Sequence, residues 1–67
     1  MELSINGQTR EMRADTINEL VAIELEGETP RGIAIALNGE VVPKARWSEA
    51  ALKPGDRVEI VRALPGG

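Results

Sequence analysis

The sequence predicts an α+β domain in which one main helix packs on one face of a mixed sheet of four to five strands. Three observations carry that reading. Two Asn-Gly pairs, Asn6-Gly7 and Asn38-Gly39, each separate a short apolar stretch from its return. This dipeptide is the strongest short-range hairpin signal, because both of its positions tolerate positive φ. Between the hairpins lies one stretch with helical spacing, and a β-rich run, Arg57-Val58-Glu59-Ile60-Val61-Arg62, comes near the end. A helix with one apolar stripe and a sheet with one apolar face bury each other in two layers.

Leu3 and Ile5 alternate with polar neighbours, the period of a strand. Residues 8–12 return after Asn6-Gly7 with little apolar content, which places that strand at an edge. The helix follows. Asp15 or Thr16 caps it, and Thr16 with Glu19 has capping-box spacing. Ile17, Leu20, Val21 and Leu25 fall on one stripe, with Asn18, Glu19 and Glu24 on the wet side and Ile23 at the margin. Gly27 is placed to end the helix as a C′ residue.

Residues 29–32 read as a loop. Ile33-Ala34-Ile35-Ala36-Leu37 then suits a strand buried on one face, with small alanines on the other. Glu40-Val41-Val42 returns after Asn38-Gly39 and is stopped by Pro43, which cannot donate to a ladder. Residues 44–52 have no clear period. Trp47, the sole aromatic, is read as a plug beneath this connection, since large aromatics dominate small cores. Lys53-Pro54-Gly55-Asp56 is a tight turn. The last strand turns Val58 and Ile60 to one face, Glu59 and Val61 to the other. With the first and last strands parallel at the centre, this is the β-grasp arrangement of ubiquitin-like proteins.

Composition narrows the function. A chain of 67 residues buries only about 60% of its unfolded surface and leaves no room for an enzyme-sized pocket. Cys, His and Tyr are all 0, which removes disulfides, thiol nucleophiles, zinc-type clusters and the usual general base near neutral pH. Ser4 and Ser48 have no histidine to activate them. The net charge of −3 argues against nucleic acid, and no stretch approaches the roughly 18 apolar residues of a membrane span. The start, Met1-Glu2-Leu3-Ser4, is unlike a signal peptide, so the cytoplasm is the expected compartment. The reactive handle that remains is the carboxylate of Leu64-Pro65-Gly66-Gly67, following directly on the β-rich run.

Asn38-Gly39-Glu40-Val41-Val42-Pro43, then Trp47, Leu52, Gly55-Asp56, Val58-Glu59-Ile60-Val61 and the terminal Gly66-Gly67 closely resemble the ThiS family of sulfur carrier proteins of thiamine thiazole biosynthesis. The opening hairpin and the helix with Thr16, Glu19 and Leu20 fit the same pattern. Pro65 departs from it, standing where the family more often has a small or aliphatic residue. Proline fixes its own φ and keeps Leu64 extended.

The resemblance implies a β-grasp domain over residues 1–63 and a flexible C-terminal tail over residues 64–67. It implies a carrier, not an enzyme, with Gly67 as the end that is adenylated and then thiocarboxylated. Leu64, Pro65 and Gly66 would enter the partners' sites. The implied partners are an adenylyltransferase of the ubiquitin-activating type, a persulfide sulfur donor and thiazole synthase, with ATP and magnesium used by the activating enzyme and no cofactor or metal bound by this chain. The free protein would be a monomer. Sister β-grasp carriers serve molybdopterin synthesis, cysteine synthesis or tRNA thiolation, and a ubiquitin-like protein modifier would use the same tail.

Physical chemistry fits that role. An α-carboxylate has a pKa of about 3.3–3.7, so Gly67 is ionised at neutral pH and can attack an α-phosphorus. Glycine has no Cβ, so its backbone can run along a narrow channel. Residues 64–67 could extend about 13 Å. Docking needs a second surface, expected on the sheet face opposite the helix, with Arg57, Val61, Arg62 and Ala63, and with Lys53 adding charge. For the charged residues ordinary solvation is the plainer reading, because exposed pairs contribute only ~0–1 kcal/mol.

Overall fold

Both Asn-Gly pairs form the turns their composition demands. Asn6 and Asn38 each have φ 51, and Gly7 and Gly39 have φ 82 and 87. Positive φ at both central residues defines the type I′ turn, whose twist matches that of the flanking strands. The computed structural model describes residues 1–26 and 32–62. The first hairpin joins β1 (Glu2–Ile5) to β2 (Gln8–Glu11), and the second joins β3 (Ile33–Leu37) to β4 (Glu40–Val42). Each two-residue turn fixes its register, so that Ile5 faces Gln8 and Leu37 faces Glu40.

β5 (Arg57–Arg62) lies between the hairpins, antiparallel to β3 and parallel to β1. The sheet order is β2-β1-β5-β3-β4, the mixed five-stranded β-grasp arrangement expected from the sequence. β2 lies at one edge with every residue exposed, as its weak apolar content predicts. It ends at Glu11, one residue short of the expected strand. Met12 leaves the ladder, buries its side chain, and exchanges backbone hydrogen bonds with Met1 at 2.8 Å each way.

The helix α1 (Ile17–Leu25) buries the stripe expected of it, Ile17, Leu20, Val21 and Leu25. Thr16 is its cap, and Thr16 Oγ1 accepts from the Glu19 amide at 3.2 Å. Glu19 reaches back to the amide of Asp15 rather than of Thr16, at 2.8 Å, a capping box displaced by one residue. The connection after β4 completes the first turn, because Ile17 and Asn18 donate to the carbonyls of Ala50 and Trp47, both at 3.0 Å. The helix ends differently from the sequence reading. Glu26 itself takes the left-handed conformation, with φ 46, and donates to Ala22 O. The expected C′ role of Gly27, the loop at residues 29–31 and the boundary between residues 63 and 64 lie outside the described residues.

Pro43 stops β4, and a 3-10 turn (Lys44–Arg46) delivers Trp47 into the core. Its ring is 2% exposed and its Nε1 donates to Val42 O at 2.9 Å, so the polar atom of the plug is satisfied. Pro54 and Gly55, the latter at φ 87, turn the chain into β5, while Asp56 Oδ2 accepts from the Lys53 amide at 2.8 Å. The core joins Leu3, Ile5, Ile35 and Val58 from the sheet to the helix stripe, Met12, Ala14, Trp47 and Leu52. No helix among the described residues is long and apolar enough to cross a membrane.

Candidate functional site

The site is built on β5, the central strand, from which the chain runs on toward Gly67. Strand alternation sorts its residues. Val58 and Ile60 face α1, while Arg57, Glu59 and Val61 face the open side. Cross-strand pairing carries the same sorting outward. Ala34 stands opposite Val61, and Ala36 opposite both Glu59 and Val41. The open face therefore holds a shallow apolar trough, two alanines of β3 between Val61, 58% exposed, and Val41, 74% exposed. The polar side of the same face carries Ser4 beside Arg57, with Thr9, Glu2 and Glu11 beyond.

Of the residues expected at the docking surface, the structure brings Val61 and Arg57 to one face. They sit at opposite ends of the strand, roughly 13 Å apart at about 3.3 Å per residue. Arg62 is turned to the other side. It pairs with Ile33 and lines a groove with Leu25 and Glu24 of α1, Ile60 of β5 and Arg10 of β2. In that groove Arg10 forms an ion pair with Glu24. Lys53 lies in the turn that precedes β5, at the far end from Arg62. Ala63, Leu64, Pro65, Gly66 and Gly67 lie outside the described residues.

Two features escaped the sequence reading. Val41 joins the exposed face although it was read only as part of a returning strand. The signal was present, since a two-residue turn at Asn38-Gly39 sets Val41 opposite Ala36 and so on the same face. The second is the role of the two turn asparagines. Asn6 Oδ1 accepts from the amide of Ile60 at 2.8 Å, and Asn38 Oδ1 from the amide of Arg57 at 2.9 Å. Nothing local in the sequence reports these bonds, because they depend on where β5 lands.

Comparison with known proteins gives a consistent picture. The model of the ThiS family matches residues 3–67. The chain is 28% identical to the sulfur carrier protein ThiS of Escherichia coli, with all of both chains covered. It is 32% identical over 63 residues to the sulfur carrier protein ThiS of Thermus thermophilus, covering 94% of this chain and 95% of that one. A protein named thiazole synthase from Paramagnetospirillum magneticum is 39% identical over all 67 residues, and there the chain spans only 20% of the relative's length. Among solved structures, the crystal structure of the thiamine biosynthesis protein ThiS from Geobacter metallireducens superposes with a TM-score of 0.79 at 28% identity over the whole of both chains.

Proposed function

The chain belongs to the ThiS family, and from that premise we propose that it is a sulfur carrier for thiamine thiazole synthesis, loaded at Gly67. The observation that carries the reading is the reach of the family match, which runs through residue 67 and so takes in the paired glycines. In the proposed reaction a carboxylate oxygen of Gly67 attacks the α-phosphorus of ATP, and pyrophosphate leaves. The resulting mixed anhydride makes an otherwise unreactive carbonyl electrophilic. The terminal sulfur of a persulfide donor displaces AMP and leaves an acyl disulfide. A second thiol then attacks the donor's sulfur, closing a disulfide with it and releasing the thiocarboxylate that thiazole synthase consumes.

The division of labour follows from the residues. The carrier brings the acyl end on a slim tail, residues 64–67, and a folded body, residues 1–63. The partners bring ATP, magnesium and the charge-stabilising site. The trough between Val41 and Val61, bordered by Glu59 and Arg57, is the surface we assign to docking on the adenylyltransferase. Thiazole synthase as a partner is supported by the Paramagnetospirillum magneticum protein of that name, in which a segment like this chain is part of a much longer polypeptide.

Intact mass spectrometry tests the proposal. After incubation with an adenylyltransferase of the ubiquitin-activating type, ATP, magnesium, a persulfide donor and a thiol reductant, the carrier should gain the mass of one sulfur in place of one oxygen. Deletion of Gly67 should abolish the change without unfolding the domain. An unchanged mass for the intact chain would overturn the assignment.

A further inference from the structure

The two turn asparagines do more than permit positive φ. At a left-handed residue the backbone leaves the strand, so the next rung of the ladder needs another acceptor. In both turns the asparagine side chain supplies it, and each copies the geometry of its own ladder. Asn38 donates its backbone N–H to Arg57 O at 2.7 Å and accepts from the Arg57 amide through Oδ1. Both bonds go to one residue, as in a hydrogen-bonded antiparallel pair. Asn6 donates its backbone N–H to Val58 O at 2.9 Å and accepts from the Ile60 amide through Oδ1. These bonds go to residues two apart, as in a parallel ladder.

The consequences differ because the two rungs hold opposite ends of β5. Asn38 acts at Arg57, where the strand begins, and its Nδ2 also donates to Asp56 Oδ1 at 3.1 Å. Asn6 acts at Ile60. β1 pairs with β5 only at Ser4 with Arg57 and Ile5 with Val58. The Asn6 amide thus carries the β1 side of the ladder beyond the point where β1 itself has turned away. Ile60 is two residues before Arg62, from which the chain continues toward Gly67.

We propose that Asn6 is a positioning residue for the reaction at Gly67, fixing on the β1 side the course of the last part of β5, from which the chain continues toward the acyl end. This rests on the reading of Gly67 as the reacting end. Without the rung, Ile60 would be held on its β3 side alone, where it stands opposite Ile35, and fixing its β1 side at the moment of docking would weaken the productive complex.

The test compares Asn6→Gly, Asn6→Asp and Asn38→Gly. Glycine keeps each turn and removes the side-chain acceptor; aspartate keeps the acceptor. Two readouts are needed: amide hydrogen exchange of the free carrier, and carrier-dependent exchange of pyrophosphate into ATP by the activating enzyme. Asn6→Gly should lose protection at the Ile60 amide and show about a tenfold fall in kcat/KM for the carrier. Asn6→Asp should restore both to within about twofold. Asn38→Gly should lose protection at the Arg57 amide and, since Arg57 only borders the docking trough, lower kcat/KM by no more than about twofold. If the wild-type chain is active and Asn6→Gly behaves like Asn38→Gly, or Asn6→Asp fails to rescue, the positioning role is wrong and the carrier reading stands. If the wild-type chain supports no exchange, the carrier reading fails and takes this inference with it.

Discussion

Val58 and Val61 lie three residues apart on β5, yet the first is 1% exposed and the second 58%. The pleat alone separates them. Val58 meets α1 and its neighbours Leu3, Ile5 and Ile35, whereas Val61 meets Ala34 and solvent. The same division holds across β4, where Val42 packs against the core and Val41 is 74% exposed. A domain of this size has little apolar surface to spare for its core. That two of its valines are left outside, flanking a pair of alanines, distinguishes a face that stabilises the fold from one available for contact.

The sharpest test of the stabilising face is Leu20→Ala. Leu20 is 0% exposed, and truncating such a side chain costs about 2–5 kcal/mol. A chain of 67 residues has a total stability of roughly 3–10 kcal/mol. Urea unfolding followed by circular dichroism should therefore show a transition displaced far toward zero denaturant. A loss below about 1 kcal/mol would break the comparison, because the helix face would then not be what holds the sheet.

A smaller effect, of opposite sign, is expected at the end of the same helix. Glu26 holds φ 46 without the freedom of glycine. Glu26→Gly should raise stability by about 0.5–1 kcal/mol, the left-handed strain relieved less the extra entropy of the unfolded chain. A loss of stability would show that Glu26 makes a compensating contact. The smallest change in stability belongs to the open face. The double substitution Val41→Thr and Val61→Thr keeps the β-branched shape and should shift stability by no more than about 0.5 kcal/mol. Affinity for the adenylyltransferase, measured by calorimetry, should fall several-fold. An unaltered affinity would remove the trough from the proposed docking surface and sharpen attention on the groove beside Arg62.

Much of this division was legible in the sequence because it rests on local rules. The spacing of Ile17, Leu20, Val21 and Leu25 fixed which helix face is buried. The two Asn-Gly turns fixed the register of both hairpins, although the consequence that Val41 points outward and Val42 inward escaped the sequence reading. Met12 and Ala14 were not read as core, although they alternate with Glu11, Arg13 and Asp15. Both lie beyond the end of β2, where Met12 exchanges backbone hydrogen bonds with Met1, so their burial is not that of a strand. The parallel pairing of β1 with β5 joins residues more than fifty positions apart, and only the fold-level arrangement suggested it. The amide rungs of Asn6 and Asn38 depend on that pairing in turn. Of the site itself, the sequence points to Gly67 and its approach, which lie outside the described residues. The placement of Arg62 on the helix side follows from the same alternation that turns Val58 and Ile60 inward, which the sequence reading did not extend to it.

Trp47 is the chain's single aromatic residue, so all of its near-ultraviolet absorbance and emission arises from one indole. That indole is buried at the end of the molecule where α1 begins, as Asn18 donates to its carbonyl. β5 releases the chain at the opposite end, beside Leu25. Unfolding would expose the ring to water and shift its emission to the red, whereas chemistry at Gly67 would leave the spectrum unchanged. The protein thus has an intrinsic optical label that distinguishes a damaged carrier from an empty one before any mass is measured.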